Sequence, residues 1–165
     1  WATLYEHSFR GHPWYDDISI PHLIAGIPKD LTRARAAAFI ALGGHGTETE
    51  ELLGVVLGYA VSREEIEEIS EGASLDFLFE NGSEQGVFYI DTICVDEKHR
   101  GQGIGEQLLI SILDGARATY GLKCVILRTH PDAENAVRLF GRNGFESLGV
   151  QDGKYPDRIW MRLTL

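Results

Sequence analysis

Apolar residues along this chain change period from two to near four and back, and the changes mark out alternating strands and helices. Leu52 to Val61 reads Leu-Leu-Gly-Val-Val-Leu-Gly-Tyr-Ala-Val, too continuously apolar for a half-solvated edge and so expected as a central strand. Val87 to Val95 is a second central strand, in which the period-2 rule places Val87, Tyr89, Asp91, Ile93 and Val95 on one face. Asp91 is out of character on that face, and Cys94, of opposite parity, is expected in the core. From Gly103 to Thr119, residues Ile104, Leu108, Leu109, Ile112, Leu113 and Ala116 form one helical stripe that must face a sheet. Gly121 follows as a left-handed terminator, and Leu122 to Leu127 as a buried strand, which together give a β-α-β unit with parallel strands. Asp132 is placed to cap a second helix running through Phe140, and Phe145–Val150 with Ile159–Leu165 closes the chain as a hairpin.

The remaining segments are less periodic. Residues 1 to 32 read as short helices around Pro13, Pro21 and Pro28. Arg33 to Leu42 is alanine-rich but is stopped by Gly43, Gly44 and Gly46, which favours a strand. Ser62 to Glu71 sets Ile66 and Ile69 three apart among glutamates, a short exposed helix with one apolar stripe, and Asn81-Gly82 marks a turn. Residues 62–86 therefore look like an insertion between strands. At 165 residues the whole, 1–165, is expected to be one mixed α/β domain. It opens on Trp1 without a methionine, which leaves room for a first strand missing from its start.

Charge changes the picture more than composition does. The net charge is −10, yet between Glu48 and Glu97 fourteen acids face a single base, Arg63, so the rest of the chain is slightly basic. Such a block repels nucleic-acid phosphates and suits a cationic partner. No apolar run approaches the length of a membrane span and no basic-then-apolar leader opens the chain, so no membrane partner is expected. Two cysteines, Cys94 and Cys124, both in apolar runs, fit a reducing cytoplasm. The histidines show no ligand spacing, and no metal is assigned.

The chemistry concentrates in His99-Arg100-Gly101-Gln102-Gly103-Ile104-Gly105, between the end of a strand and the start of the clearest helix. A glycine-rich turn in that place points unpaired backbone N–H groups outward at the positive end of the helix dipole, which makes an anion site. The dinucleotide fingerprint fails because Glu106 stands where its third glycine is needed. The mononucleotide loop fails because Glu106-Gln107 replaces Lys and Ser or Thr.

Read as R-x-x-G-x-G over Arg100, Gly103 and Gly105, the loop resembles that of the GNAT superfamily of acyl-CoA N-acyltransferases. The resemblance runs from the strand Ile90–Val95 to Asn135-Ala136-Val137-Arg138-Leu139-Phe140-Gly141-Arg142-Asn143-Gly144-Phe145, similar to the family's A-x-x-L-Y-x-x-x-G-F segment, and the order of elements agrees over roughly residues 52 to 165. Phe9 to Trp14 looks faintly like the opening helix of the ribosomal-protein and N-terminal acetyltransferase branch. The resemblance implies a mixed central sheet with splayed parallel strands, flanked by helices, and acetyl-CoA as co-substrate. It implies that the cofactor's pyrophosphate lies on Gly101, Gln102, Gly103, Ile104 and Gly105 with Arg100 assisting. Its pantetheine arm would pair with the strand at Ile93, Cys94 and Val95.

The expected reaction is direct attack of a primary amine on the thioester. An alkylammonium with a pKa of about 10 must first lose a proton, whereas a thiol of about 8.5 can depart partly as thiolate, so a base matters more than an acid. Asp91 matches a position used for that purpose in the family, and Tyr89 matches a second. The family's frequent catalytic tyrosine falls at Phe140, which has no proton to give. Its usual asparagine falls at Ala133, for which Asn135 is a substitute, and the ribosomal-protein branch's glutamate falls at Arg128. Tyr155, beside Pro156 in the C-terminal hairpin, is the candidate acid. The acceptor is expected to be a cationic small molecule or a peptide N-terminus, and a homodimer is compatible with the resemblance. A non-catalytic acyl-CoA-binding sensor is the alternative, since Phe140 removes the usual acid.

Overall fold

The computed structural model describes residues 1–14, 16, 19–33, 35–44, 50–79, 86–119 and 121–165, with the backbone alone at 22, 23, 25, 27 and 28. Helices α1 (Ala2–Phe9) and α2 (Ile20–Leu31) precede strands β1 (Ala37–Gly43) and β2 (Glu51–Val61). Helix α3 (Arg63–Ser70) and a 3-10 turn (Asp76–Phe79) lead to β3 (Val87–Val95), α4 (Ile104–Ala118), β4 (Cys124–Thr129), α5 (Glu134–Arg142), β5 (Glu146–Gln151) and β6 (Ile159–Thr164). The six strands order as β1-β2-β3-β4-β6-β5, antiparallel except for the β3–β4 pair. The expected mixed α/β sheet and its β-α-β unit are therefore present. The Asn81-Gly82 turn lies outside the described residues. None of the described helices is long and apolar enough to cross a membrane.

Each face of the sheet carries its own core. On one, Leu108, Leu109, Ile112, Leu113 and Ala116 of α4 and Phe140 of α5 cover Val56, Phe88, Ile90, Val125 and Leu127. On the other, Ile66, Leu75, Leu78 and Phe79 cover Tyr59, Val87, Tyr89, Ile126 and Trp160. The acidic stretch after β2 is thus more than a solvated excursion: Ile66 and Leu75 are 1% exposed, and the glutamates occupy the outward side of a cap. The cap is fixed at its start by a capping box, in which Ser62 Oγ accepts from the Glu65 amide at 3.2 Å and the Glu65 carboxylate accepts from the Ser62 amide at 2.8 Å. Arg33 bridges Asp30 of α2 to Glu65 of α3 at 3.2 and 2.9 Å.

Two local expectations are corrected. Asp132 does not cap α5. Residues 130–133 form their own turn, in which the Ala133 amide donates to the His130 carbonyl at 3.0 Å, so Ala133 takes the cap position and the Asp132 amide donates to His130 Nδ1 at 3.1 Å. The larger correction concerns strand parity. Leu57 pairs with Thr92 but Gly58 pairs with Ile90, so Asp91 is the extra residue of a β-bulge. Tyr89 and Asp91 face the α1–α3 side, whereas Ile93 and Val95 pack on the α4 core, and Cys94 turns to join Leu4 and Val55 under α1. The period-2 face drawn through Tyr89, Asp91, Ile93 and Val95 is broken by that one residue.

Gly58 is what lets the bulge close. A Cβ there would stand 2.5 Å from Phe88 Cε1 and 2.7 Å from the Tyr89 carbonyl oxygen. Because one of those atoms is backbone, Gly58→Ala is expected to destabilise the fold by about 1–3 kcal/mol, the usual cost of overpacking. The check is the denaturant midpoint, and an unshifted midpoint would show that β3 can retreat without cost.

Candidate active site

Strand β3 ends at Val95 and passes through a 3-10 turn (Glu97–His99) into the glycine loop that opens α4. Asp96 starts the turn by accepting from the Lys98 amide at 2.9 Å, and that backbone bond, with His99 beside it, holds its carboxyl below the usual range. Gly101 and Gly103 have φ of 77° and 81°, a left-handed conformation that favours glycine. Gly103 is the N-cap of α4 and has no side chain to cap it; Glu97 O and Gly103 O accept the first amides on either side of the loop. The N–H groups of the first turn, which have no intrahelical acceptor, are therefore left facing outward.

They face a cleft of about 820 Å³. Its walls include the loop residues Arg100, Gly101, Gly103, Ile104 and Gly105, the strand end Ile93–Val95, and Asn135 at the start of α5. All the residues expected around a cofactor thus border one cavity except Gln102, which is exposed on the loop. Arg100 Nε donates to the Val95 carbonyl at 3.3 Å, tying loop to strand, and Asn135 Oδ1 accepts from Arg138 Nη2 at 2.7 Å. The opposite wall was not assigned from sequence: Ser8, Phe9, His12, Pro13 and Trp14 come from the end of α1 and the strap after it. The faint likeness of Phe9 to Trp14 to a family opening helix was the only signal pointing there.

The cleft leads to a split in the sheet. Strands β3 and β4 pair from Val87↔Cys124 to Ile90↔Leu127 and then part. Beyond the split, β3 stays paired with β2 as far as Val95↔Gly54, and β4 with β6 as far as Thr129↔Ile159. The facing edges of 91–95 and 128–129 therefore carry backbone donors and acceptors without strand partners, which an extended, amide-bearing ligand could satisfy. Cavity, uncapped helix end and open strand edge fit the acyl-CoA cofactor that the loop sequence implies.

Asp91 and Arg128 stand one position past the last paired residues, on either side of the mouth. Asp91 is the only exposed residue between Val87 and Thr92, although protein packs closely around it. That surrounding mass raises its pKa above the usual carboxylate value, Asp30 adds to the rise, and a 3.1 Å hydrogen bond from Thr92 Oγ1 opposes it. Tyr89, expected beside it as a catalytic candidate, is instead 1% exposed, with its ring 5.8 Å from those of Tyr59 and Trp160. Burial pushes its hydroxyl pKa well up, which suits packing and not proton transfer. Tyr5 and Tyr59, which sequence reasoning missed, feel the charge of Asp91: burial first, and then that charge, raise their hydroxyl pKa values. Cys94 is buried as expected, its thiol pushed up to about 12 chiefly by burial.

Arg128 is committed to structure. Its Nη1 donates to the Ile69 carbonyl at 3.1 Å and to Asp152 Oδ2 at 3.2 Å, joining the end of α3 to the β5–β6 loop. Tyr155 lies in that loop, its amide donating to Asp152 Oδ1 at 2.7 Å and its ring stacked by the guanidinium groups of Arg128 at 4.8 Å and Arg158 at 4.0 Å. Phe140 is 3% exposed at the cleft wall.

The acetyltransferase (GNAT) family model matches residues 1–145. Among curated proteins, one from Mycobacterium leprae (strain TN), itself uncharacterised, is 36% identical over 69 residues, 42% of this chain and 18% of its own length. The spermine/spermidine N(1)-acetyltransferase of Bacillus subtilis (strain 168) is 26% identical over 74 residues, 45% of this chain and 49% of its own. The matches thus span at most about half the length of these curated relatives. Among solved structures, Arabidopsis thaliana NAA60 in complex with a bisubstrate analogue superposes with a TM-score of 0.68 at 17% identity, covering 99% of this chain and 93% of that one. With the glycine loop, the split sheet and a family match over most of its length, the chain belongs to the acetyltransferase (GNAT) family.

Proposed function

We propose that this chain transfers the acetyl group of acetyl-CoA to a primary amine by direct attack, in a reducing, cytoplasmic setting. The observation that carries the reading is the meeting, in one cleft, of an uncapped helix N-terminus and an unpaired strand edge, with the exposed Asp91 carboxylate one position past the last β3–β4 pair. Acetyl-CoA supplies the activated thioester. The loop amides from Gly101 to Gly105 would hold its phosphates and the edge of Ile93–Val95 its amide-bearing arm. A backbone N–H on that edge, at Val95 or its neighbour, would face the developing oxyanion. Asp91 would take the amine's proton, directly or through one water, its raised pKa making it a stronger base than an ordinary aspartate. Phe140 cannot return a proton to the leaving sulfur; Tyr155, partly exposed and fixed by two guanidinium groups, is the residue proposed to do so.

The acceptor is proposed to be cationic, a small polyamine or a basic peptide N-terminus. The support is the acidic cap: α3 carries four exposed or half-exposed glutamates and its C-terminal carbonyls touch the loop that borders the mouth, through Gly153 N to Ser70 O at 3.0 Å and Arg128 to Ile69 O. Calorimetry with acetyl-CoA followed by thiol release against a panel of amines and peptides tests the whole reading. Spermidine is expected to be turned over with a kcat/KM that falls steeply from low to high salt, because screening removes the attraction of exposed carboxylates. A rate indifferent to salt would remove the electrostatic part. Tight acetyl-CoA binding with no release from any amine would favour the sensor reading that the loss of a tyrosine at Phe140 suggests.

A further inference from the structure

The strap after α1 and the loop between β5 and β6 are far apart in sequence and meet over the cleft. Arg158, whose side chain is 8% exposed, is bonded to Asp16 across 142 residues. Its guanidinium lies 5.2 Å from the Trp14 ring and 4.0 Å from the Tyr155 ring. Trp14 forms part of the cleft wall and packs edge-on against Phe9 at 5.3 Å and His130 at 6.1 Å. His130 Nε2 in turn lies 3.5 Å from Asp157 of the same loop. Tyr155 continues the stack to Arg128 at the mouth. Rings and guanidinium groups thus alternate, Trp14, Arg158, Tyr155, Arg128, from the cofactor cleft to the acceptor side. A planar guanidinium can stack on two rings while bonding a carboxylate in its own plane, which an ammonium cannot do.

Within the strap the Trp14 amide donates to the Gly11 carbonyl, and at its base the Asp16 amide donates to the Phe9 carbonyl, both at 3.0 Å. Phe9 itself packs with the cluster that contains Cys94, on the strand end where the cofactor arm is expected. The wall opposite that strand end is thus joined from the far side, through Trp14 and Asp16, to Arg158.

We propose that Arg158 is a positioning residue that latches the strap 9–14 against the β5–β6 loop, so that the strap grips the pantetheine arm of the cofactor while the glycine loop holds the phosphates independently. The latch rests on the acetyl-CoA reading above and adds to it: the same side chain sets the cofactor wall and the acceptor loop, and so ties the two sites together.

The test compares two ligands by calorimetry: acetyl-CoA, and adenosine 3′-phosphate 5′-diphosphate, which has the phosphates without the arm. Arg158→Lys and Asp16→Asn are each expected to weaken acetyl-CoA about tenfold, the scale of one charged hydrogen bond, and to leave the nucleotide within about twofold of wild type. The double variant should be no weaker than the worse single one, because both changes open one latch. Unchanged acetyl-CoA affinity, or equal loss of both ligands, would overturn the latch. If Arg158→Lys does not fold, Asp16→Asn, which leaves the Arg158 stack intact, decides on the same criteria. Wild-type protein that binds neither ligand overturns the acetyl-CoA reading and the latch with it, whereas wild type that binds both while the variants do not differ overturns the latch alone.

Discussion

Asp91→Asn is expected to lower kcat by about 10²–10⁴-fold at neutral pH with acetyl-CoA affinity nearly unchanged, the range usually lost with a general base. The substitution is close in shape, and the residue sits at the mouth and not among the cleft-lining residues, so binding and chemistry separate cleanly. The wild-type rate should fall on acidification through a pKa above the ordinary carboxylate value, since burial and Asp30 both raise it. That acid limb should be missing in the variant. An unaffected rate would remove Asp91 from the chemistry.

The same residue makes an opposite prediction for stability. With its pKa higher in the folded than in the unfolded chain, Asp91 binds its proton more tightly when folded, so its contribution to stability declines as pH rises from the unfolded value through the folded one and is least favourable above both. Removing the charge should therefore raise Tm at pH 7 while it slows turnover. A lower Tm would mean that the carboxylate is compensated by its neighbours and that its surroundings do not penalise its charge.

Gly103→Asp should abolish tight acetyl-CoA binding, with a loss of about 100-fold or more, because it sets a carboxylate against the phosphates at the positive end of α4. The fold should survive, since a Cβ at Gly103 meets nothing within 4 Å. What remains is the left-handed φ of 81°, worth about 1–2 kcal/mol for a residue with a side chain. Gly103→Ala isolates that strain and is expected to bind within about tenfold of wild type. Equal affinities for wild type and the aspartate variant, measured calorimetrically on folded protein, would end the phosphate-loop reading.

These two variants differ in how visible their sites were beforehand. Gly103 could be found in the sequence because its role is local: a glycine turn directly ahead of a helical stripe leaves amides uncapped whatever the rest of the chain does, and the α4 stripe from Ile104 to Ala116 fixes which way that helix faces. The place of Asp91 was visible, but its surroundings were not. Strict alternation put Ile93 and Val95 beside it, and the bulge opposite Gly58 moved them to the other face. The bulge is a property of the β2–β3 pair, so no pattern within β3 alone could reveal it.

Tyr89 shows the same limit from another side. Its position on the strand was right, but whether a tyrosine hydroxyl reaches solvent depends on what covers the sheet, and Leu75, Leu78 and Phe79 come from the stretch expected as an acidic insertion between strands. The apolar residues there are too few and too irregularly spaced to register as a helix stripe, yet they are sufficient to seal one face. Apolar period, turn residues and the glycine loop, each set by neighbours within about one turn or one strand, determined the strands, the central helices and the uncapped start of α4 from sequence alone. The bulged register of Asp91, the burial of Tyr89, the split after Ile90 and Leu127, and the meeting of Asp16 with Arg158 were decided by tertiary structure, because each depends on contacts between segments that only the folded sheet brings together.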